Sequence, residues 1–330
     1  MKWTYLHAID VRHSLELAHE LDEVSTALAR PQALVDVVDW RGSCLLELGR
    51  GDAFVAETQR CERAAERYRY PNLGWQARRM QAACAFLRGA LDESTEQAHA
   101  ASVLGERAAG PAMARALLGA HLSLLALEKT GSEAVALFRE VRAIAEAFLA
   151  LVPKFVPWQL SRARAHLELG DREAARAELR TIVDAGLDRL PHDRNRAPLI
   201  AKLASLAADL GEQETVLKLL PELLQHAAQG RHLVVGGATT YAGPASYYAG
   251  QLTLFVDDPS AARAWFEQSL RESERIGSET FKAWSWYGLA QALARTEPGS
   301  SRSGDAALRA AHRAAQTLGL TRLQAKLDQS

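Results

Sequence analysis

The chain has 330 residues, of which 48% are hydrophobic and 24% charged, with a formal net charge of -1. That length admits two or three ordinary domains or one long repeat array, and the composition supports a continuous core under a solvated surface. Without a global basic field the chain lacks the electrostatic footprint that phosphate-backbone binding requires, so no nucleic acid partner is expected.

The opening stretch "MKWTYLHAIDVRHSLELAHE" carries His, Asp, Arg and Glu where a signal peptide needs an apolar run. Residues 1–30 read as an N-terminal helix. No segment reaches the roughly 18–20 uninterrupted apolar residues of a membrane span. Cys44, Cys61 and Cys84 are odd in number and have no CxxC spacing. Free thiols in a cytoplasmic protein follow, with no disulfide framework, no metal, no cofactor and no membrane contact expected.

From residue 31 the sequence is punctuated. Prolines fall at Pro31, Pro71, Pro111, Pro153 and Pro191, at intervals of 40, 40, 42 and 38. Glycines follow apolar runs at Gly49, Gly89, Gly131, Gly170 and Gly211, at intervals of 40, 42, 39 and 41. Two independent series sharing one period mark a solenoid. Proline opens a helix and glycine closes one, so each unit reads as Pro, first helix, Gly, second helix. "AVALFREVRAIAEAFLAL" shows the helical spacing of apolar residues inside such a unit. The spacing predicts an all-α, right-handed α-solenoid of about seven hairpins. The repeats run roughly over 31–70, 71–110, 111–152, 153–190, 191–230, 243–277 and 278–318, with a C-terminal cap over 319–330.

Three places are less regular. Pro221 in "VLKLLPELLQ" is expected to kink or split a helix. "RTEPGSSRSGD" lacks apolar residues and reads as a flexible loop inside the seventh unit. "RHLVVGGATTYAGPASYYAG" (231–250) is β-branched, then glycine-rich, then aromatic. It has no lysine followed by Ser or Thr after its second glycine, so it is not a P-loop. It reads as a connection between units five and six. The competing reading has this loop, with Tyr241, folding over the concave side to touch a ligand.

Helical pairs with an "L-x-L-G-x-x-x-x-A" turn resemble tetratricopeptide (TPR) repeats. More narrowly, "LVDVVDWRGSCLLELGRGDAF", "WQARRMQAACAFLRGALDEST", "LPHDRNRAPLIAKLASLAADLG", "HLVVGGATTYAGPASYYAGQL" and "AARAWFEQSLRESERIGSETFKAWSWYGLAQALA" resemble, in this order, the helical C-terminal arm of bacterial signal-transduction ATPases. That multidomain class contains LuxR-type regulators and cyclase-linked predicted ATPases. The resemblance covers roughly residues 20–295 and implies a superhelix that senses a small effector or a partner protein and controls a nucleotide-binding domain. No G-x-x-x-x-G-K-[ST] and no helix-turn-helix tail occurs in this chain. It therefore reads as an excised arm of a larger protein or as a stand-alone relative.

In TPR-like arrays the first helices line the concave face. Here they carry Trp40 and Arg41, Trp75 with Arg78 and Arg79, His121, Trp158 with Arg162, and then Arg194 in the "PHDRNR" loop. The position eight before each turn glycine is Arg41, Gln81, Ser123, Arg162 and Leu203, which is polar in four of five units. Arginine and tryptophan are the residue types that anchor partners. This row, with Tyr241, is expected to line a binding groove; the competing reading packs each Trp between hairpins and pairs each Arg locally. Trp284 and Trp286 are two apart, so they take different sides of a helix.

Catalytic constellations are weak. No HExxH, GxSxG, SxxK or Cys/His cluster with metal spacing appears. His121, Asp193 and Tyr241 are the candidates for proton transfer, and His192 beside Asp193 is an adjacent acid/base pair of a kind common in loops. The sequence thus favours a non-catalytic sensor or scaffold in bacterial signalling, binding a protein, a peptide or a small anionic effector in its groove. The alternative is a pathway enzyme using the solenoid cavity for a small hydrophobic or aromatic substrate.

Overall fold

A computed structural model describes residues 10–27, 31–235, 240–296 and 302–329. The helices alternate down the chain in pairs. Helix α1 (Val11–Ala27) precedes α2 (Pro31–Glu47) with α3 (Gly51–Tyr68), α4 (Pro71–Leu87) with α5 (Leu91–Ala108), and α6 (Pro111–Leu125) with α7 (Gly131–Leu151). Then follow α8 (Val156–Glu168) with α9 (Arg172–Asp184), and α10 (Arg196–Leu210) with α11 (Gln213–Ala228). A β-hairpin, β1 (His232–Val235) and β2 (Thr240–Pro244), intervenes. After it come α12 (Ala245–Phe255) with α13 (Pro259–Ile276), α14 (Glu279–Thr296) with α15 (Arg302–Leu318), and the terminal α16 (Thr321–Leu327).

The turn chemistry is local. Gly211 takes φ +79° and returns its N–H to the Ala208 carbonyl, which stops α10 in the left-handed conformation. In the sixth pair the same conformation falls to Asp257, at φ +65°, and the next residue, Asp258, caps α13 through the Ala261 N–H. Helices α2, α4 and α6 open on their prolines. The later prolines do not keep that place: Pro153 and Pro191 lie in the preceding loops, and α8 and α10 begin at Val156 and Arg196.

Two local expectations are corrected. Pro221 does not split its helix; α11 runs unbroken through it. Pro221 and Leu217, whose carbonyl the missing N–H would have served, are both exposed, so water can take that bond. The stretch between α14 and α15 is shorter than expected, because Arg295 and Thr296 end one helix and Arg302–Asp305 begin the next; residues 297–301 lie outside the described set.

First and second helices are buried differently. On α13 a single stripe of Ala262, Phe266, Ser269, Ser273 and Ile276 is covered, and on α15 it is Ala307, Ala311 and Ala315. These are outer helices with one face to water. On α4 and α10 nearly every face is buried, as with Leu73, Trp75, Gln76, Ala77, Arg79 and Met80 in α4. A helix covered all round has protein on its inner side too.

That inner protein is the chain's own later part. The β-hairpin pairs antiparallel, Leu233 opposite Gly243 and Val234 opposite Tyr241, with a bulge between Leu233 and Val234. Strand β1 packs on α2 and α10, and β2 on α4, α6 and α13. The solenoid also curls round until its last units meet its first. Thr280 Oγ1 donates to the Phe86 carbonyl at 3.0 Å, and Gly51 sits against the Ile276 carbonyl so closely that a Cβ there would lie 2.0 Å from the oxygen. The Thr130 N–H donates to Thr321 Oγ1 at 3.0 Å. The expected all-α solenoid of helical hairpins is therefore present, with a two-stranded ribbon added in its interior. Among the described residues no helix is long and apolar enough to cross a membrane.

Candidate functional site

Among the described residues a cavity of about 550 Å³ lies inside the curl. Helix α6 runs into a 3₁₀ turn, Ala126–Glu128, whose last residue faces this space. Helices α8, α10, α12, α14 and α16 supply the other walls. Phe86, Tyr247, Tyr248, Phe281, Trp284 and Tyr287 give it an aromatic lining.

The polar lining is organised around buried bonds. Trp284 Nε1 donates to Glu128 Oε2 at 2.7 Å. Burial pushes the Glu128 carboxyl up to about 7, against the hydrogen bond from Trp284 and the charge of Arg322. Arg164 reaches Asp209 at 2.5 Å and Glu168 at 3.4 Å, and Arg322 forks onto Glu168. Burial works against the Glu168 charge, but the two arginines outweigh it and hold that carboxyl below the usual range. Gln251 and Gln291 donate to the hydroxyls of Tyr247 and Tyr287, at 2.7 and 3.0 Å. Burial raises Tyr247 and Tyr248 well above the ordinary phenol range, so both stay neutral. Arg172 and Lys326 complete the lining.

None of the ten residues expected to line a groove lines this cavity. Trp40, Trp75 and Trp158 are buried in packing between helices; Trp158 lies 5.7 Å from the Phe148 ring. Arg41 pairs with Asp22 at 2.5 Å and Glu57 at 3.2 Å, and Arg162 with Glu178 at 2.5 Å. Arg78 donates to Gln97 at 2.8 Å. Arg79 stacks over Trp75 at 4.8 Å and donates to Gln76 at 2.5 Å. Arg194 pairs with Glu47. The arginines of the row thus pair with groups on neighbouring elements, and none of them reaches the central cavity.

The three proton-transfer candidates are not brought together. His121 is buried, its Nε2 2.8 Å from Ser94 Oγ. Asp193 accepts the Asn195 N–H at 2.8 Å in a loop turn. Tyr241 is fully buried with its hydroxyl 2.7 Å from His232 Nδ1, so the hairpin enters the interior but this side chain is core. Gly236 and Gly237 lie outside the described residues. The three cysteines are free and buried, and burial pushes the Cys44 and Cys61 thiols up to about 12. Trp284 is core while Trp286 is partly exposed.

Sequence reasoning missed Glu128, which lines this cavity, and Lys202, which lines a smaller pocket that shares Arg164, Ser205 and Tyr248 with it. A signal existed for both. Glu128 interrupts the apolar run "LSLLALEKTG", and Lys202 sits alone in "APLIAKLASLAADLG" with no carboxylate three or four residues away on its helix.

Fold and cavity together define the chain as an α-solenoid of two-helix units closed around a polar-aromatic chamber. No family model matches it, and no curated protein matches it. Among solved structures it is similar to the P58(IPK) TPR domain, at 14% identity over 94% of this chain and 99% of that one, with a TM-score of 0.21. At that score the likeness carries no argument, and the class rests on the helix pairing above.

Proposed function

We propose that the chain is a non-catalytic, TPR-like sensor or scaffold that takes a small organic anion with an aromatic or branched apolar body into its central cavity. One observation carries this: an aromatic chamber whose cations outnumber its carboxylates. Arg164, Arg172, Arg322 and Lys326 stand against Glu168, Asp209 and Glu128. The surplus is one charge with Glu128 ionised and two with it protonated. Aromatic walls with a few fixed polar groups are what a small-molecule site needs. The resemblance to the helical arm of bacterial signal-transduction ATPases supports a regulatory setting, with a nucleotide-binding domain or another protein as the reader of the bound state. Val103, Leu104 and Met113 at one inter-unit turn, and Leu151, Val152 and Phe155 at the next, are exposed apolar residues that such a protein could cover.

Native mass spectrometry of purified protein tests the reading. A co-purified organic acid that stabilises the chain on re-addition is the expected result. A chain that carries nothing, and that no aromatic carboxylate stabilises, would reject it.

The enzyme alternative now centres on Glu128, since a carboxyl titrating near 7 is suited to proton transfer. It requires turnover of a cavity-sized substrate that Glu128→Gln abolishes.

A further inference from the structure

Helix α10 carries one lysine, Lys202, between apolar neighbours. With Arg164, Ser123, Ser161, Ser205 and Tyr248 it lines a side chamber of about 50 Å³ that opens off the main cavity, sharing Arg164, Ser205 and Tyr248 with it. Among the described residues no carboxylate pairs with Lys202. Its charged neighbour is a second cation, Arg164, which Asp209 and Glu168 already neutralise. Burial and Arg164 push the Lys202 ammonium down to about 8, and no acid opposes them. A partly buried cation without a counter-ion is costly, and the structure leaves that cost standing.

The hydroxyls fit the same picture. Ser123 and Ser161 spend their protons on the Ala120 and Pro157 carbonyls, at 2.7 and 2.9 Å. Ser205 Oγ instead accepts a long 3.4 Å bond from Arg164, which leaves its own proton to give. Lys202, Arg164 and Ser205 thus converge as donors on one small space.

We infer that this side chamber seats the anionic head of the effector, and that the head is a carboxylate bound by Lys202 and Ser205 with Arg164 beside it. This rests on the central cavity being the ligand site. Lys202 brings to this small chamber one positive charge that no carboxylate pairs among the described residues, which the single charge of a carboxylate matches. From that seat the apolar body passes Tyr248 into the chamber walled by Tyr247 and Trp284.

Phenylacetate, its neutral amide phenylacetamide and phenyl phosphate are the probes, followed by calorimetry and by NMR of the protein's ¹³C-methylated lysines. Phenylacetate is expected to bind more tightly than the other two and to raise the pKa of the Lys202 resonance. Lys202→Met is expected to weaken phenylacetate about tenfold or more and to leave phenylacetamide unchanged. A thermal melt verifies that the variant is folded, and the wild-type NMR shift stands without it. If Trp284→Ala weakens phenylacetate while Lys202→Met does not, the cavity remains the site and the head assignment is overturned. If phenylacetamide binds the wild type as well as phenylacetate, or no probe moves the Lys202 resonance, it is overturned as well. A co-purified acid that still binds without touching Lys202 keeps the cavity reading and removes only this one.

Discussion

Trp284 Nε1 donates a 2.7 Å hydrogen bond to Glu128 Oε2, across 156 residues of chain. The bond joins the last hairpin to the turn of the third, and so helps shut the curl that makes the cavity. It also satisfies one oxygen of a carboxyl that burial holds in its protonated form up to about pH 7.

The linkage sign follows from the two values. Glu128 titrates near 7 when folded, against 4.5 ordinarily. Between those pH values the folded chain keeps a proton that the unfolded chain has lost, so stability falls as pH rises through 4.5 to 7 and the loss is complete above 7. Glu128→Gln keeps an acceptor for Trp284 and removes the ionisation. The variant should exceed the wild type by about 1–3 kcal/mol at pH 8 and match it near pH 4.5, by urea unfolding. A variant weaker at pH 8 would contradict the assignment.

Lys202 behaves as the mirror case. Its folded value near 8 lies below the ordinary 10.5, so the unfolded chain binds the proton more tightly between these pH values. Stability should therefore rise with pH across that window, and the whole penalty is present below pH 8. Lys202→Met should be more stable by about 1–2 kcal/mol at pH 7, with the difference closing toward pH 10.5. Denaturation curves at three pH values check this, and a constant difference would count against it.

Closure of the curl depends on a missing side chain at Gly51. An alanine Cβ there would meet the Ile276 backbone carbonyl, which cannot swing aside as a side chain can. Gly51→Ala should cost about 1–3 kcal/mol and speed hydrogen exchange in the β-hairpin. Gly74, inside α4, has open space at the same position, so Gly74→Ala should stabilise by about 0.5–1 kcal/mol. Equal effects at the two sites would mean that the seam between α3 and α13 is loose.

The arginines of the first helices separate packing from binding. Arg79 is buried against Trp75, with Asp39 3.7 Å away, and Arg79→Ala leaves that carboxylate short of a cation. A loss of about 2–4 kcal/mol is expected in thermal or urea unfolding. Arg162→Ala breaks a partly exposed pair and should cost about 1 kcal/mol or less. Neither change should alter phenylacetate affinity; a large loss of binding would move the site back to the groove.

Local chemistry made the repeat legible in the sequence. Proline at a helix start and glycine in the left-handed turn act over a few residues, so their spacing alone revealed the paired helices and their order. The unbroken helix through Pro221 escaped because solvent supplied what the local rule demanded. The row of Trp and Arg was picked out, but Arg41 pairs with Asp22 and Glu57 and Arg162 with Glu178 on the outer helix α9, and none of the row lines the central cavity. The cavity belongs to the tertiary structure alone. It exists because small rotations between units add up until Thr280 meets Phe86, Trp284 meets Glu128 and Arg322 meets Glu168. No short-range pattern encodes that sum, so the sequence by itself set the units while the accumulated curvature decided which side chains share a site.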